Sequence, residues 1–255
     1  MAPTTIKLAK LNNGPEIFHS IQGEGISMGV PSVFVRASLC NLHCQWCDTD
    51  YTWNWENTPW KHEKDAEPGY RKYSKADYLI EMDTAEVAEK IAGFGCSNII
   101  MTGGEPLLQD EQWQAVVNDL TSRDTSYRFE LETNGTLVPS PELDAHVSQY
   151  NVSPKLKNSA NPADLRIKTE ALDFFAKSAK AWFKFVVSDP VDLAEIEQLI
   201  ADYKLPRDRI ILMPEGANNH TLKQRRSWLA DICIKHGFRF GDRLHVQLWG
   251  SKRGV

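Results

Sequence analysis

The chain has 255 residues, 42% of them hydrophobic, which is enough to bury one sizeable core, and α/β barrels of this length routinely form a single domain. With 29 Lys plus Arg against 34 Asp plus Glu the net charge is −5, and no basic run is dense enough to track a phosphate backbone, so direct nucleic-acid binding is disfavoured. No apolar run approaches the roughly 18 residues a membrane span needs, the opening MAPTTIKLAKLNNGPEIF lacks a signal-peptide core, and an odd count of five cysteines argues against a disulfide framework, so the expectation is a cytoplasmic protein with no membrane contact.

In chain order, β-type runs fall at PSVFVRA (31–37), SNIIMT (97–102), RFELET (128–133), YNVS (150–153), WFKFVV (182–187), RIILM (209–213) and RLHVQLW (243–249). Helical periods lie between them. TAEVAEKIAGF opens on a Thr84 cap and sets Val87, Ile91 and Phe94 on one face, while LAEIEQLIADY and TLKQRRSWLADICIKHGF repeat the spacing. Strand–helix alternation predicts an α/β fold with a mainly parallel sheet, a partial (β/α) barrel, spanning 1–255 as one domain. Reactive groups then belong on the loops that leave the C-terminal ends of the strands. A cysteine cluster, GGEP, NGT, PK and PEG each follow one of these runs. The stretch 51–80, with Trp53, Trp55 and Trp60 among charges and prolines, interrupts the alternation and is expected to be a loop or small excursion at the mouth of the site.

The segment CNLHCQWCDTDY places Cys40, Cys44 and Cys47 in a C-x3-C-x2-C spacing. Zinc uses similar pairs, but a structural zinc site wants four ligands, and His43 or Asp48 reaches the set only by folding tightly back. A four-iron four-sulfur cluster normally takes four cysteines. Three leave one iron open to a small chelating molecule. Cys96 and Cys233 stand alone and are expected to be buried thiols.

This spacing, with Trp46 just before the last cysteine and MTGGEP about 55 residues on, resembles the radical S-adenosylmethionine superfamily. The resemblance implies that the amino acid end of S-adenosylmethionine chelates the open iron and that reductive cleavage yields a 5′-deoxyadenosyl radical. EIFHSIQGEG, PSVFVR, CDTDYTW, TGGEP, ETNGT, VSPK and LWGSKRGV, in that order, are similar to the 7-carboxy-7-deazaguanine synthases across nearly the whole chain. That family contracts the ring of 6-carboxy-5,6,7,8-tetrahydropterin to 7-carboxy-7-deazaguanine with loss of ammonia, on the queuosine and deazapurine route, with magnesium present. The roles so implied are cluster binding by Cys40, Cys44 and Cys47, and magnesium binding by Thr49. Contact with S-adenosylmethionine falls to Trp46, Cys47, Asp48, Gly103, Gly104, Glu105, Ser153, Pro154, Lys155, Met213, Pro214, Glu215 and Gly216, with Glu105 receiving the ammonium. Substrate contact falls to Ile21, Gln22, Gly23, Glu24, Arg36, Thr102, His245 and Val255. An electron donor such as flavodoxin or ferredoxin and a homodimer are also implied. The rivals are another radical enzyme, such as a glycyl-radical activating enzyme, and a zinc-stabilised binding module with the three tryptophans as its interaction patch.

Overall fold

The computed structural model of the protein describes residues 4–255. Its strands are β1 (Thr5–Leu11), β2 (Gly14–Pro15), β3 (Ile17–Ile21), β4 (Pro31–Ala37), β5 (Leu79–Asp83), β6 (Asn98–Gly103), β7 (Arg128–Thr133), β8 (Val147–Val152), β9 (Ala181–Val187), β10 (Ile210–Pro214) and β11 (Arg239–Phe240). The helices are α1 (Lys75–Tyr78), α2 (Thr84–Ala92), α3 (Asp110–Arg123), α4 (Pro141–His146), α5 (Ala163–Arg166), α6 (Thr169–Lys177), α7 (Asp192–Tyr203), α8 (Asn219–His236) and α9 (Leu244–Trp249). One open sheet runs β11-β10-β9-β8-β7-β6-β4-β1-β2, with β3 on β4 and β5 on β1. From β4 through β6 to β11 every pairing is parallel. The N-terminal strands add antiparallel pairs at the other side.

The two faces of the parallel strands differ because side chains alternate along a strand. Val33, Val35, Ile99, Met101, Phe129, Leu131, Tyr150, Val152, Phe183 and Phe185 join the helix-packed core, where burial of each large apolar side chain contributes about 1.5–3 kcal/mol. Their neighbours Arg36, Thr102, Glu130, Glu132, Gln149, Asn151 and Lys184 carry polar groups and are buried or half-buried. A sheet with one polar and largely buried face needs a partner for those groups, and a ligand cavity provides one.

Three sequence expectations are corrected. RLHVQLW is not a strand: Arg243 precedes the short helix α9, in which Val246 is buried and Leu248 is exposed. Its Leu-x-Val-x-Leu alternation is too short to separate a two-residue period from a helical one, and the Val246 carbonyl accepts both the Gly250 N–H at 3.0 Å and the side-chain amide of Asn219 at 3.1 Å, which pins the helix end. The cap of α2 is Asp83, whose carboxylate accepts from the Ala85 N–H, with Thr84 already helical and Phe94 lying exposed past the helix end. Cys233 is buried, but Cys96 is only half-buried, with its sulfur 3.5 Å from the Pro31 carbonyl.

The stretch 51–80 is a packed buttress as well as an excursion. Asp50, fully buried, accepts from Tyr70 at 2.8 Å, Lys64 at 3.1 Å and Tyr73 at 3.3 Å, drawing the segment onto one carboxylate. His62 Nε2 donates to the Cys47 carbonyl at 2.8 Å, so the segment braces the cysteine loop directly. Trp53 is buried whereas Trp60 is 40% exposed and stacks on His43 with ring centroids 3.7 Å apart. That stacking turns His43 towards aromatic rings and accounts for its failure to join the thiols.

Candidate active site

A cavity of about 660 Å³ opens at the C-terminal ends of the parallel strands. Cys40, Cys44 and Cys47 line it, on the loop that leaves β4. The loop is fixed by backbone bonds from Leu39 N–H to the Thr52 carbonyl and from Glu105 N–H to the Leu39 carbonyl, each 2.9 Å. Gly103 and Gly104 permit this approach. A Cβ on Gly104 would lie 1.8 Å from the Leu39 carbonyl oxygen, and one on Gly103, at φ +126°, would lie 2.2 Å from that of Ala37. The bare backbone expected to admit a cofactor is thus required first by the cysteine loop itself.

The donor set fits an iron–sulfur cluster. Each thiol has a polar neighbour from outside its own turn or beside it: Asn134 Nδ2 is 4.0 Å from the Cys40 sulfur, Asn161 Nδ2 is 3.3 Å from that of Cys44, and the Thr49 hydroxyl is 3.5 Å from that of Cys47. Such bonds stabilise thiolate sulfur and tune a bound cluster. Burial pushes all three thiols up, Cys44 to about 12, so without a cation they hold their protons. Among the described residues no three His, Cys, Asp or Glu side chains converge as ligands of a single metal ion. A cubane, by contrast, takes each thiolate on a separate iron.

Glu105 and Pro154 do not line the cavity; every other residue expected at the site does. The Glu105 carboxylate, 0% exposed, accepts from Asn134 N–H at 2.7 Å, Thr133 hydroxyl at 2.9 Å and Leu107 N–H at 3.1 Å. It anchors the ETNGT turn, whose Asn134 in turn donates to Asn41 at 2.8 Å in the cysteine loop. All contacts of this carboxylate in the structure are internal, a burial of which the sequence offered no sign. Glu105→Gln replaces one acceptor oxygen by a donor facing another donor. It should cost about 1–3 kcal/mol and lower the melting temperature by about 2–4 °C per kcal/mol. A thermal melt of the iron-free protein checks this, and an unchanged midpoint would show the triple contact to be energetically idle.

The opposite wall is charged. Gln22 Nε2 donates to Glu132 at 3.1 Å, and the Thr102 hydroxyl to the same carboxylate at 2.6 Å. Glu24 pairs with both Lys184 and Arg243. Burial works to raise its pKa, but Lys184 and then Arg243 outweigh it and hold the carboxyl well below the usual range. Burial works to lower the Lys184 pKa, and Glu24 with Glu132 raises it instead. Gly23 leaves room for His245, whose Nδ1 would stand 2.1 Å from a Cβ there. Arg36 Nε donates to Glu16 at 3.1 Å, and Glu16 also takes Arg253 at 2.5 Å and the Tyr51 hydroxyl at 3.2 Å. Ser153 and Lys155 join at 2.9 Å beside Trp46, over which the Lys155 ammonium lies 5.9 Å from the ring centroid. Met213 to Gly216 close that side, with Glu215 paired to Arg225, and Val255 reaches the wall.

Sequence reasoning passed over Glu16, Glu132, Lys184 and Arg243. Two of these left a trace. Lys184 interrupts the apolar run WFKFVV, and Glu132 shares the period of Glu130 in RFELET, on the face opposite Phe129 and Leu131. A charge inside a buried strand is costly unless paired, so either residue marks a polar lumen.

An open parallel sheet whose strand ends carry three thiols and a paired-glycine turn defines the class, the Radical SAM superfamily, whose profile matches residues 35–153. The 7-carboxy-7-deazaguanine synthase of Pyrobaculum aerophilum is 38% identical over 246 residues, covering 94% of this chain and 95% of that protein. That of Halobacterium salinarum is 36% identical over 257 residues, covering 92% and 90%. The crystal structure of QueE from Escherichia coli superposes with a TM-score of 0.65 over 94% of this chain and 95% of that one, at 23% identity, and shows the same fold. The chain belongs to the 7-carboxy-7-deazaguanine synthase family, and its cofactors are those of a radical S-adenosylmethionine lyase. Among the described residues no helix is long and apolar enough to cross a membrane.

Proposed function

We propose that the cavity contracts the ring of 6-carboxy-5,6,7,8-tetrahydropterin to 7-carboxy-7-deazaguanine with release of ammonia, for queuosine or related deazapurine synthesis. The observation that carries this reading is the presence of three thiols and a charged, donor- and acceptor-bearing wall in one cavity of about 660 Å³. That volume suits small molecules. A glycyl-radical activating enzyme has no use for Gln22, Glu24 and Arg36 facing its cluster loop. One core cluster running from Ile6 to Phe238 supports a single domain.

When bound, the cluster on Cys40, Cys44 and Cys47 and its S-adenosylmethionine supply the radical, and the protein's share is orientation and protection. Gly104, Ser153, Lys155 and the backbone of 213–216 hold the cofactor. Arg36 turns the nitrogens it does not give to Glu16 towards the substrate carboxylate, in a planar fork suited to it. Glu24, kept ionised by Lys184 and Arg243, is an acceptor only and reads the N–H edge of the pterin. The Gln22 amide, held by Glu132, and the His245 ring against Gly23 complete that edge, with Ile21, Thr102 and Val255 beside it. Thr49 offers magnesium a hard oxygen next to the substrate. A one-electron carrier such as flavodoxin or ferredoxin serves as reductant, and the enzyme acts as a homodimer, the commonest assembly for such proteins.

The test is an anaerobic incubation of the iron- and sulfide-reconstituted protein with reductant, S-adenosylmethionine, magnesium and the carboxytetrahydropterin. Mass spectrometry should find the deazapurine acid. A loaded cluster that cleaves S-adenosylmethionine yet yields no deazapurine would overturn the assignment.

A further inference from the structure

Arg243 stands at the start of α9 with its side chain 11% exposed, and all three guanidinium nitrogens are engaged. Nε donates to Glu24 Oε1 at 2.9 Å, Nη1 to the Gly216 carbonyl at 2.7 Å, and Nη2 to the Asp48 carboxylate. These partners lie on three separate loops. Glu24 belongs to the loop after β3, Asp48 stands between Cys47 and Thr49, and Gly216 follows β10. The main chain adds a fourth tie, from Leu244 N–H to the Gly23 carbonyl at 2.9 Å. No sequence motif drew attention to this residue, and nothing in the function proposed above requires it to touch a reactant.

A planar cation whose three donors diverge to three loops sets their spacing, because moving any one loop breaks its charge-assisted bond to a guanidinium that the other two hold in place. The loops in question carry substrate, magnesium and cofactor contacts under the proposed function. We propose that Arg243 is a positioning residue that couples cofactor cleavage to substrate turnover by holding these three loops at a fixed separation. The proposal rests on that functional reading for its consequence, but the tie itself is independent of it. Lysine retains the charge yet cannot reach three diverging acceptors, so Arg243→Lys separates geometry from electrostatics.

Hydrogen exchange on the iron-free protein tests the tie without any chemistry. In Arg243→Lys, amides of 21–24, 46–49 and 215–217 should all exchange faster than in the wild type, whereas Lys184→Ala, which removes only one partner of Glu24, should affect 21–24 alone. Should Arg243→Ala lose its fold, the lysine variant decides. In reconstituted enzyme the ratio of abortive 5′-deoxyadenosine to deazapurine should rise at least about fivefold in Arg243→Lys, with iron content unchanged. Exchange confined to α9, or a wild-type product ratio in the lysine variant, overturns the proposal. If the wild type makes no deazapurine at all, the functional reading fails while the exchange result still judges the tie.

Discussion

Replacing any one of Cys40, Cys44 or Cys47 by Ala is expected to abolish cluster loading and deazapurine formation together. The three sulfurs come from one loop, and among the described residues no other cysteine shares the cavity wall, since Cys96 and Cys233 lie elsewhere. Under the proposed assignment each thiolate holds one iron, so two of them leave a second iron without a protein ligand, and a cubane with two open corners has lost half of its normal four-cysteine anchorage. Fold loss does not explain the expected result. Asn134, Asn161 and Thr49 approach the sulfurs, but the loop backbone is fixed independently by Thr52, Glu105 and the Gln45 N–H bond to the Ser159 carbonyl at 3.0 Å. The iron-free Cys40→Ala protein should therefore melt within a few degrees of the wild type while retaining no absorbance near ~400 nm after reconstitution. Cys96→Ala and Cys233→Ala should keep both cluster and product, the latter at about 1 kcal/mol of stability for a trimmed core side chain. Iron analysis of the five variants decides it. Cluster retained by Cys40→Ala and lost by Cys96→Ala would reverse the ligand assignment.

Much of this site was readable from the chain because its chemistry is concentrated in contiguous segments. The cysteine spacing, the glycine pair and the QGEG stretch sit on loops directly after strands, and loop chemistry is legible where local motif and topology agree. The parallel strands were legible for a related reason: buried runs such as 97–102 and 182–187 are bounded by breakers. What escaped was assembled across distance. Glu24 and Lys184 are 160 positions apart, and Arg243 and Asp48 are 195 apart, so no window holds both members of a pair. The Glu105 motif is conspicuous, but whether a carboxylate at a strand end faces a cavity or the protein depends on which donors lie nearby, and here those are the backbone N–H groups of residues 107 and 134 and the hydroxyl of Thr133. The N-terminal strands β1 and β3 were missed because TIKLAKL and EIFHSI mix charged and polar residues with apolar ones, which blurs a strand period.

Thr49→Ala is expected to lower deazapurine formation by at least about tenfold while leaving cluster assembly intact, equivalent to about 1.4 kcal/mol of transition-state stabilisation. The residue begins the short turn 50–52, yet its hydroxyl makes no capping bond there. The capping work is done by its carbonyl, which accepts from Thr52 N–H at 3.0 Å and the Thr52 hydroxyl at 2.8 Å, and alanine preserves both. The side-chain oxygen has the Cys47 sulfur at 3.5 Å as its neighbour and otherwise faces the cavity, so its removal should barely disturb folding. Under the proposed function a hard oxygen in that position serves magnesium and substrate and takes no part in cleaving S-adenosylmethionine. Product formation and cofactor cleavage should accordingly separate, with slow abortive 5′-deoxyadenosine persisting in the variant. Added magnesium should rescue only part of the loss, because the hydroxyl is one ligand among water and substrate oxygens. Wild-type enzyme stripped of metal should behave like the variant. Full product formation in the presence of a strong chelator would remove magnesium from the reaction and leave Thr49 with only its contact to Cys47.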